Sequence, residues 1–252
     1  MSSLSTSLTA APPRSGRRAR PRRILAVGVR VALLVLVLIG TVLAAAAVTT
    51  PAVDDAAARV ASIDRSHGSV AVPVATTDHI ALAVVAAEDG RFYSHHGVDA
   101  LGVVRALGGR LTGTDAGGST LDQQLAHALY VPGGNGLWAG AQEVALSLKL
   151  EGHFTKQAIL DLYLNAVYYG HGYYGIAAAS EGYFGVVPAQ LSWGQAALLA
   201  GLLQAPSALD PTQHLAAALL RRQYVVGRLV ETGALTAVQA TLVAASPVAL
   251  RR

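Results

Sequence analysis

Hydrophobic positions divide the chain into one continuous apolar run and a series of shorter segments with helical spacing. Val31 to Val48 is apolar throughout apart from Gly40 and Thr41, and its length matches a bilayer core of roughly 30 Å. An arginine cluster precedes the run, so we predict a single membrane anchor with a cytoplasmic N-terminus and an external body. A cleaved signal peptide is the alternative, because Ala44 to Ala47 offer a small-residue processing site.

Beyond the anchor, the pattern predicts a mainly α fold without internal repeats. Residues 49–76 are mixed in character and indicate a stalk or a first strand-like segment, and helical spacing begins at Thr77. The predicted helices are Ile80 to Glu88, Val98 to Leu111, Ser119 to Tyr130, Trp138 to Gly152, a helix capped by Thr155, Pro188 to Gln204, His214 to Glu231 and Thr236 to Ala245. The predicted organisation is a basic tail (1–30), an anchor (31–48), a stalk (49–76) and one domain (77–252).

Charge is distributed unevenly along the chain. The formal net charge is +4, but seven of the 19 basic residues lie in the first 30 positions, where there is no acid. The rest of the chain carries 12 basic against 15 acidic residues and is mildly acidic, which argues against a nucleic-acid-binding surface. Cysteine is absent, so disulfide bonds and thiolate metal sites are excluded.

A carboxylate pair closes one of the predicted helices. Glu88 and Asp89 follow the apolar segment Ala81 to Ala87, and the pattern E-D-x-x-F-x-x-H-x-G is then completed by Phe92, His95 and Gly97. Acids are seldom placed at the end of so apolar a segment unless a site uses them. Apolar surroundings would suit Glu88 to proton transfer. A solvated acid at a helix end is the alternative when Glu88 is considered alone.

A glycine-rich turn follows about one helix later. Gly117 to Leu125 reads G-G-S-T-L-D-Q-Q-L, and we predict that Ser119 caps the helix that runs to about Tyr130. The backbone N–H groups of such a turn, with a helix dipole behind them, are suited to bind phosphate. A tight turn with an ordinary N-cap is the alternative.

These motifs, in this order, resemble those of glycosyltransferase family 51, the peptidoglycan glycosyltransferases. The resemblance covers roughly Asp78 to Gly233 and includes a further block, K-x-x-I-L-x-x-Y-L-N, that starts at Lys156. It implies a lysozyme-like, two-lobed helical domain on a single transmembrane helix. It also implies a reaction on lipid II, in which the 4-hydroxyl of an acceptor GlcNAc attacks C1 of the donor MurNAc and expels a polyprenyl diphosphate.

The resemblance also implies roles for individual residues. Glu88 is the expected base for the attacking hydroxyl, and Glu143 is the expected second catalytic carboxylate, which assists departure of the diphosphate. The expected substrate-binding residues are Asp89, Phe92, His95, Arg105, Gly118, Ser119, Thr120, Gln123, Gln124 and Lys156. From the residues themselves, we expect the first three of these to support the motif rather than to react. A surface lysine is the alternative for Lys156.

The implied partners are lipid II, the nascent glycan strand and the membrane, with separate transpeptidases to cross-link the product. Neither lysine of the chain follows a serine at the S-x-x-K spacing of penicillin-binding transpeptidases. The resemblance allows a divalent cation, magnesium or manganese, to assist the diphosphate. It gives that cation no certain ligand, and it implies no organic cofactor.

The chain departs from the family pattern on the phosphate side. Ala139-Gly140 stands in place of a basic pair, His127 in place of a lysine and Asp122 in place of a threonine. Each charge-assisted bond to a phosphate contributes roughly 1.5–3 kcal/mol, so these losses favour a domain that binds lipid-linked precursor or cell-wall proteins without catalysis. Retention of Glu88 and Glu143 favours the active transferase that we predict. A lysozyme-type hydrolase is a third hypothesis, suggested by the related helical shape.

Overall fold

The fold of the described residues is mainly helical. The computed structural model describes residues 21–102 and 118–251, with side chains from residue 25 onward. Arg105, Gly117 and most of the helix predicted from Val98 to Leu111 lie outside these residues. The helices are α1 (Pro21–Thr49), α2 (Ala56–His67), α3 (His79–Glu88), α4 (Leu121–Tyr130), α5 (Gly136–His153), α6 (Lys156–Ala166), α7 (Ile176–Phe184), α8 (Trp193–Leu202), α9 (Leu215–Glu231) and α10 (Ala237–Ala245), with 3-10 turns at Phe92–Ser94 and Pro188–Gln190. Within the described ranges the only β pairing is the isolated bridge between Tyr168 and Tyr174, so the prediction of a mainly α fold is confirmed.

The chain divides into two compact units, residues 1–41 and 42–252. Leu25–Thr49, most of helix α1, is the one stretch of the described chain that is long and apolar enough to cross a membrane. The side chains of residues 25–41 are exposed, Leu34 for example at 69%, whereas Ala46 near the end of the helix is buried against Ala141 and Ala145. A helix that is apolar on all sides is stable only in apolar surroundings, which agrees with the predicted anchor.

Helix α8 lies at the centre of the second unit, packed against α3 and α9. Every residue from Ala196 to Leu202 is buried, because the helix consists of leucine, alanine and glycine on all sides. Its N-terminus is fixed by a capping box between Ser192 and Gln195. The single helix predicted from Pro188 to Gln204 is therefore wrong, since a short 3-10 turn and this cap interrupt it.

The segment predicted as a stalk or strand contains a helix that belongs to the core. Within α2 and just before it, Val53, Ala56 and Val60 are buried in the same hydrophobic core as the later helices, and α2 packs against α6. These positions recur at helical spacing. Small alanines and interspersed acids concealed that spacing in the sequence, and this part of the prediction is corrected.

Two elements of this core bring the first and second motifs together. Helix α3 ends at Glu88, and helix α4 begins at Leu121 after the glycine-rich turn. The backbone N–H of Leu121 donates to Oδ2 of Asp89 at 3.1 Å, which joins the end of one helix to the start of the other. The two motifs are thus adjacent in space.

Candidate active site

Glu88 is held at the end of α3 by a relay of two side chains, the half-buried Gln124 and the buried Tyr163. Nε2 of Gln124 donates to Oε2 of Glu88 at 3.1 Å, and the hydroxyl of Tyr163 donates to Oε1 of Gln124 at 2.7 Å. Tyr163 is fully buried, and burial raises its pKa well above its ordinary value, with the charge of Glu88 acting in the same direction. The phenol therefore remains a donor, which fixes the Gln124 amide so that its N–H₂ group faces the carboxylate.

Asp89 and His95 form a buried pair behind this relay. Nε2 of His95 lies 2.8 Å from Oδ2 of Asp89, and the same oxygen accepts the N–H of Leu121. A carboxylate at the first N–H of a helix also interacts favourably with the helix dipole. Both side chains thus connect the first motif to α4 by hydrogen bonds within the protein.

Thr120, rather than the predicted Ser119, is the N-cap of α4. Its Oγ1 accepts from the N–H of Gln123 at 3.2 Å and donates to the carbonyl oxygen of Gly97 at 2.7 Å. Oε1 of Gln123 in turn accepts from the Thr120 N–H at 3.0 Å, which completes a capping box. The sequence prediction was one residue early, because serine and threonine are both good N-caps. Ser119 is left outside the helix, in the wall of the cleft.

The cleft beside these residues contains two adjoining pockets, and the larger has a volume of about 720 Å³. Its polar lining includes Ser119, Gln123, Gln124, His127 and Glu143. Nδ1 of His127 on α4 donates to Oε1 of Glu143 on α5 at 2.7 Å. The second predicted carboxylate therefore does lie in the cleft, and its partner is the histidine that stands where the family pattern has a lysine.

The smaller pocket, of about 320 Å³, contains Glu88. It shares Ser119, Gln124 and Leu203 with the larger pocket, so the two are parts of one cleft. Arg221 also lines the smaller pocket, together with Tyr224. Neither residue was predicted from the sequence, because both lie in an amphipathic helix outside the motifs and nothing in the sequence distinguishes Arg221 from Arg222.

Lys156 does not line either pocket. Its ammonium contacts the carboxylate of Glu151, lies 3.6 Å from Oδ2 of Asp122 and lies 4.2 Å from the centre of the Phe92 ring. Asp122 is completely buried. Burial raises the pKa of Asp122 to about 7, the neighbouring Glu151 acts in the same direction, and Lys156 opposes them. Phe92 is also fully buried. Lys156 and Phe92, both predicted to bind substrate, therefore pack with Asp122 and Glu151 beneath the motif.

One group among the described residues has the composition of a metal site. Ligand atoms of Asp89, His95 and Asp122 all lie within 4.8 Å of one another. All three residues are buried, and Oδ2 of Asp89 already accepts the N–H of Leu121. Glu143, in the open cleft, fits a magnesium ion better, because such ions are typically held by one or two carboxylates together with substrate phosphate oxygens.

Comparison with known proteins identifies the family. The family model described as Transglycosylase matches residues 58–230. Penicillin-binding protein 1A of Escherichia coli K12 is 40% identical over 156 residues, 61% of this chain and 18% of that protein. The Aquifex aeolicus protein of the same name is 41% identical over 164 residues, 63% of this chain and 22% of its own. The Mycobacterium tuberculosis protein is 40% identical over 163 residues, 63% and 20% of the two chains.

A solved structure also matches part of the chain. The crystal structure of penicillin-binding protein 1A from Haemophilus influenzae is 33% identical, with a TM-score of 0.37, over 38% of this chain and 14% of that one. The chain spans about a fifth of the length of the curated relatives above. The family model nevertheless covers well over half of the 252 residues, which confirms the resemblance drawn from the motifs. The chain belongs to the transglycosylase family, glycosyltransferase family 51.

Proposed function

We propose that this chain is a peptidoglycan glycosyltransferase that polymerises lipid II into glycan strands. The observation that carries the proposal is the position of Glu88. Its carboxylate is oriented by Gln124 and lines a pocket that opens into the cleft of Glu143. A base on one side of the cleft suits removal of the acceptor's proton, and the carboxylate further along it suits a divalent cation that neutralises the leaving diphosphate.

In the proposed reaction, Glu88 accepts the proton of the acceptor GlcNAc 4-hydroxyl as its oxygen bonds to C1 of the donor MurNAc. The bond between C1 and the diphosphate oxygen breaks, and the electron pair leaves with the diphosphate. The Gln124 amide holds the Glu88 carboxylate in place, and the buried Tyr163 hydroxyl holds Gln124. A base that is oriented before the substrate arrives needs little reorganisation during the reaction.

In the proposed reaction, the leaving diphosphate lies in the larger pocket, beside His127 and Glu143. The His127 imidazole, fixed by its hydrogen bond to Glu143, would lie beside the diphosphate oxygens. The Ser119 hydroxyl and the glycine-rich turn add hydrogen-bond donors. A magnesium or manganese ion held by Glu143 and the diphosphate oxygens would supply positive charge there.

The apolar helix α1 provides a reason for the protein to act at a membrane. The isoprenoid tail of lipid II stays in the bilayer, and a single-pass anchor keeps the enzyme on the same surface. The arginine cluster at residues 14–23 supports an orientation with the N-terminus in the cytoplasm and the catalytic domain outside. The polymer would then be cross-linked by transpeptidases on that outer surface.

Labelled lipid II tests the proposal directly. We expect the wild-type chain in detergent or vesicles to form glycan polymer, measured by gel electrophoresis of the labelled product. Glu88→Gln should lower the polymerisation rate about 100- to 10,000-fold, the usual contribution of a general base, while lipid II binding is retained. Glu181→Gln is the matched control, because that glutamate lies on the surface and pairs with Arg251.

Two results would contradict the proposal in different ways. Failure of the wild-type chain to form polymer across a range of pH and of magnesium and manganese concentrations, with lipid II still bound, would indicate a non-catalytic binding domain. Polymer formation by Glu88→Gln at a rate close to wild type would show that another group is the base.

A further inference from the structure

Arg221 is held in a fixed position in the wall of the Glu88 pocket. Its side-chain stem lies in a notch left by Gly201 of α8, where an added Cβ would come within 3.0 Å of the Arg221 Cγ. Its guanidinium carbon lies 4.2 Å from the centre of the Tyr224 ring, one helical turn further along α9. Stacking on an aromatic ring orients the planar guanidinium and leaves its edge available for hydrogen bonds.

Among the described residues, no hydrogen bond joins the Arg221 side chain to the rest of the fold, and its Nε is buried without a partner. Arg222 of α9 also has a buried Nε without a partner, but its two terminal nitrogens donate to the carbonyl oxygens of Ser246 and Ala244. Arg228 donates to the carbonyl oxygen of Ala86. A buried donor without a partner carries a desolvation penalty. A ligand that accepts from Arg221 would remove this penalty.

Elsewhere in the described part of the cleft, positive charge is scarce. Among the described residues that line the two pockets, Arg221 is the one permanently charged cation, and His127 is charged only when protonated. Lys149 is directed at the backbone oxygens of Thr50 and Pro51, and Lys156 at the buried cluster of acids. An anionic substrate therefore meets a fixed guanidinium on the Glu88 side of the cleft.

We propose that Arg221 binds an oxyanion of the acceptor substrate and thereby sets the acceptor hydroxyl against Glu88. This inference rests on the proposed function and names the residue that holds the acceptor. Guanidinium groups bind phosphate and carboxylate oxygens through two parallel hydrogen bonds. Lipid II offers both chemistries, in its diphosphate and in the carboxylates of its stem peptide, and the experiment distinguishes the two sources.

The test compares wild type with Arg221→Gln and Arg221→Lys on lipid II and on lipid II whose peptide carboxylates are amidated. Loss of a charge-assisted pair should raise KM for polymerisation about 10- to 100-fold in Arg221→Gln, with a smaller change in kcat and weaker lipid II binding. Arg221→Lys should recover only part of the loss, because an ammonium cannot make the paired bonds. Arg251→Gln, which removes an exposed arginine outside both pockets, is the control.

Comparison of lipid II with its amidated form identifies which oxyanion Arg221 binds. If Arg221 binds a peptide carboxylate, amidation should raise KM for wild type and have no further effect on Arg221→Gln. If it binds the diphosphate, the variant should lose affinity equally for both substrates. Either pattern supports the inference, and thermal unfolding followed by circular dichroism shows whether the variant is folded.

Two outcomes would overturn the inference while leaving the proposed function intact. One is a folded Arg221→Gln variant with unchanged KM and unchanged lipid II binding. The other is an unchanged KM with a displaced acidic limb of the pH–rate profile, which would show that Arg221 acts only on the ionisation of Glu88. An inactive wild type would instead count against the proposed function, and the binding measurement would still decide whether Arg221 holds the substrate.

Discussion

The buried carboxyl of Asp122 should make the protein less stable as pH rises. Asp122 lies in the first turn of α4 with no exposed surface, and its carboxyl lies beside that of Glu151. Lys156 is 3.6 Å away but is also in contact with Glu151. Two carboxylates therefore share one lysine, and the Asp122 carboxylate has no contact with water.

The size of the effect follows from the pKa. Burial raises the pKa of Asp122 from 3.8 to about 7 in the folded chain. A carboxyl whose pKa is higher in the folded than in the unfolded chain weakens folding as it ionises. The effect is absent below about pH 4 and complete above about pH 7, and the full shift corresponds to about 4 kcal/mol of folding free energy.

Asp122→Asn isolates this contribution. The amide does not titrate, and it can donate to Glu151 while Lys156 keeps its contact with that glutamate. Relative to wild type, the variant should gain about 4 kcal/mol between pH 4 and pH 8, with most of the gain between pH 5 and pH 7. Urea unfolding in detergent, followed by circular dichroism at each pH, measures the difference.

An exposed aspartate provides the control for Asp122→Asn. Asp54→Asn changes an exposed aspartate, and its difference from wild type should remain constant within about 0.5 kcal/mol. If the stability difference between Asp122→Asn and wild type changed by less than about 1 kcal/mol over this range, the carboxylate would not be penalised by burial. A variant that became less stable than wild type at pH 8 would show that the ionised carboxylate, paired with Lys156, stabilises the fold.

Two further predictions concern the cleft. Tyr163→Phe removes the donor to Oε1 of Gln124, so the amide loses its fixed orientation towards Glu88. The kcat should fall about 10-fold while the melting temperature changes little. An unchanged kcat would show that the relay has no part in the mechanism. His127→Lys places a permanent positive charge beside Glu143, so KM for lipid II should fall about 10-fold. An unchanged KM would contradict a role for this position in binding the diphosphate.

Local patterns were enough to predict most of the helices. Thr155 caps α6 through the N–H of Ala158, as predicted, because capping depends on residues only three positions apart. The stalk prediction failed for the opposite reason. Whether Val53 and Val60 are buried depends on contact with helices that come much later in the chain, and no local preference records that contact.

The same distinction applies to the cleft. The motif around Glu88 indicated the family, and the structure places Glu88 and Gln124 side by side. Lys156 was predicted to bind substrate, but its ammonium lies against Asp122 and Glu151. A motif fixes a residue type at a position, while the direction of a long side chain depends on which acids the neighbouring helices present to it.

The sequence by itself determined the family, the mainly helical fold and the apolar N-terminal helix, because each depends on residue type and short-range spacing. Only the tertiary structure decided which side chains meet. It joined His127 on α4 to Glu143 on α5 and placed Arg221 of α9 in the pocket of Glu88. Such contacts depend on how helices from distant parts of the chain pack and on the face that each presents to the others.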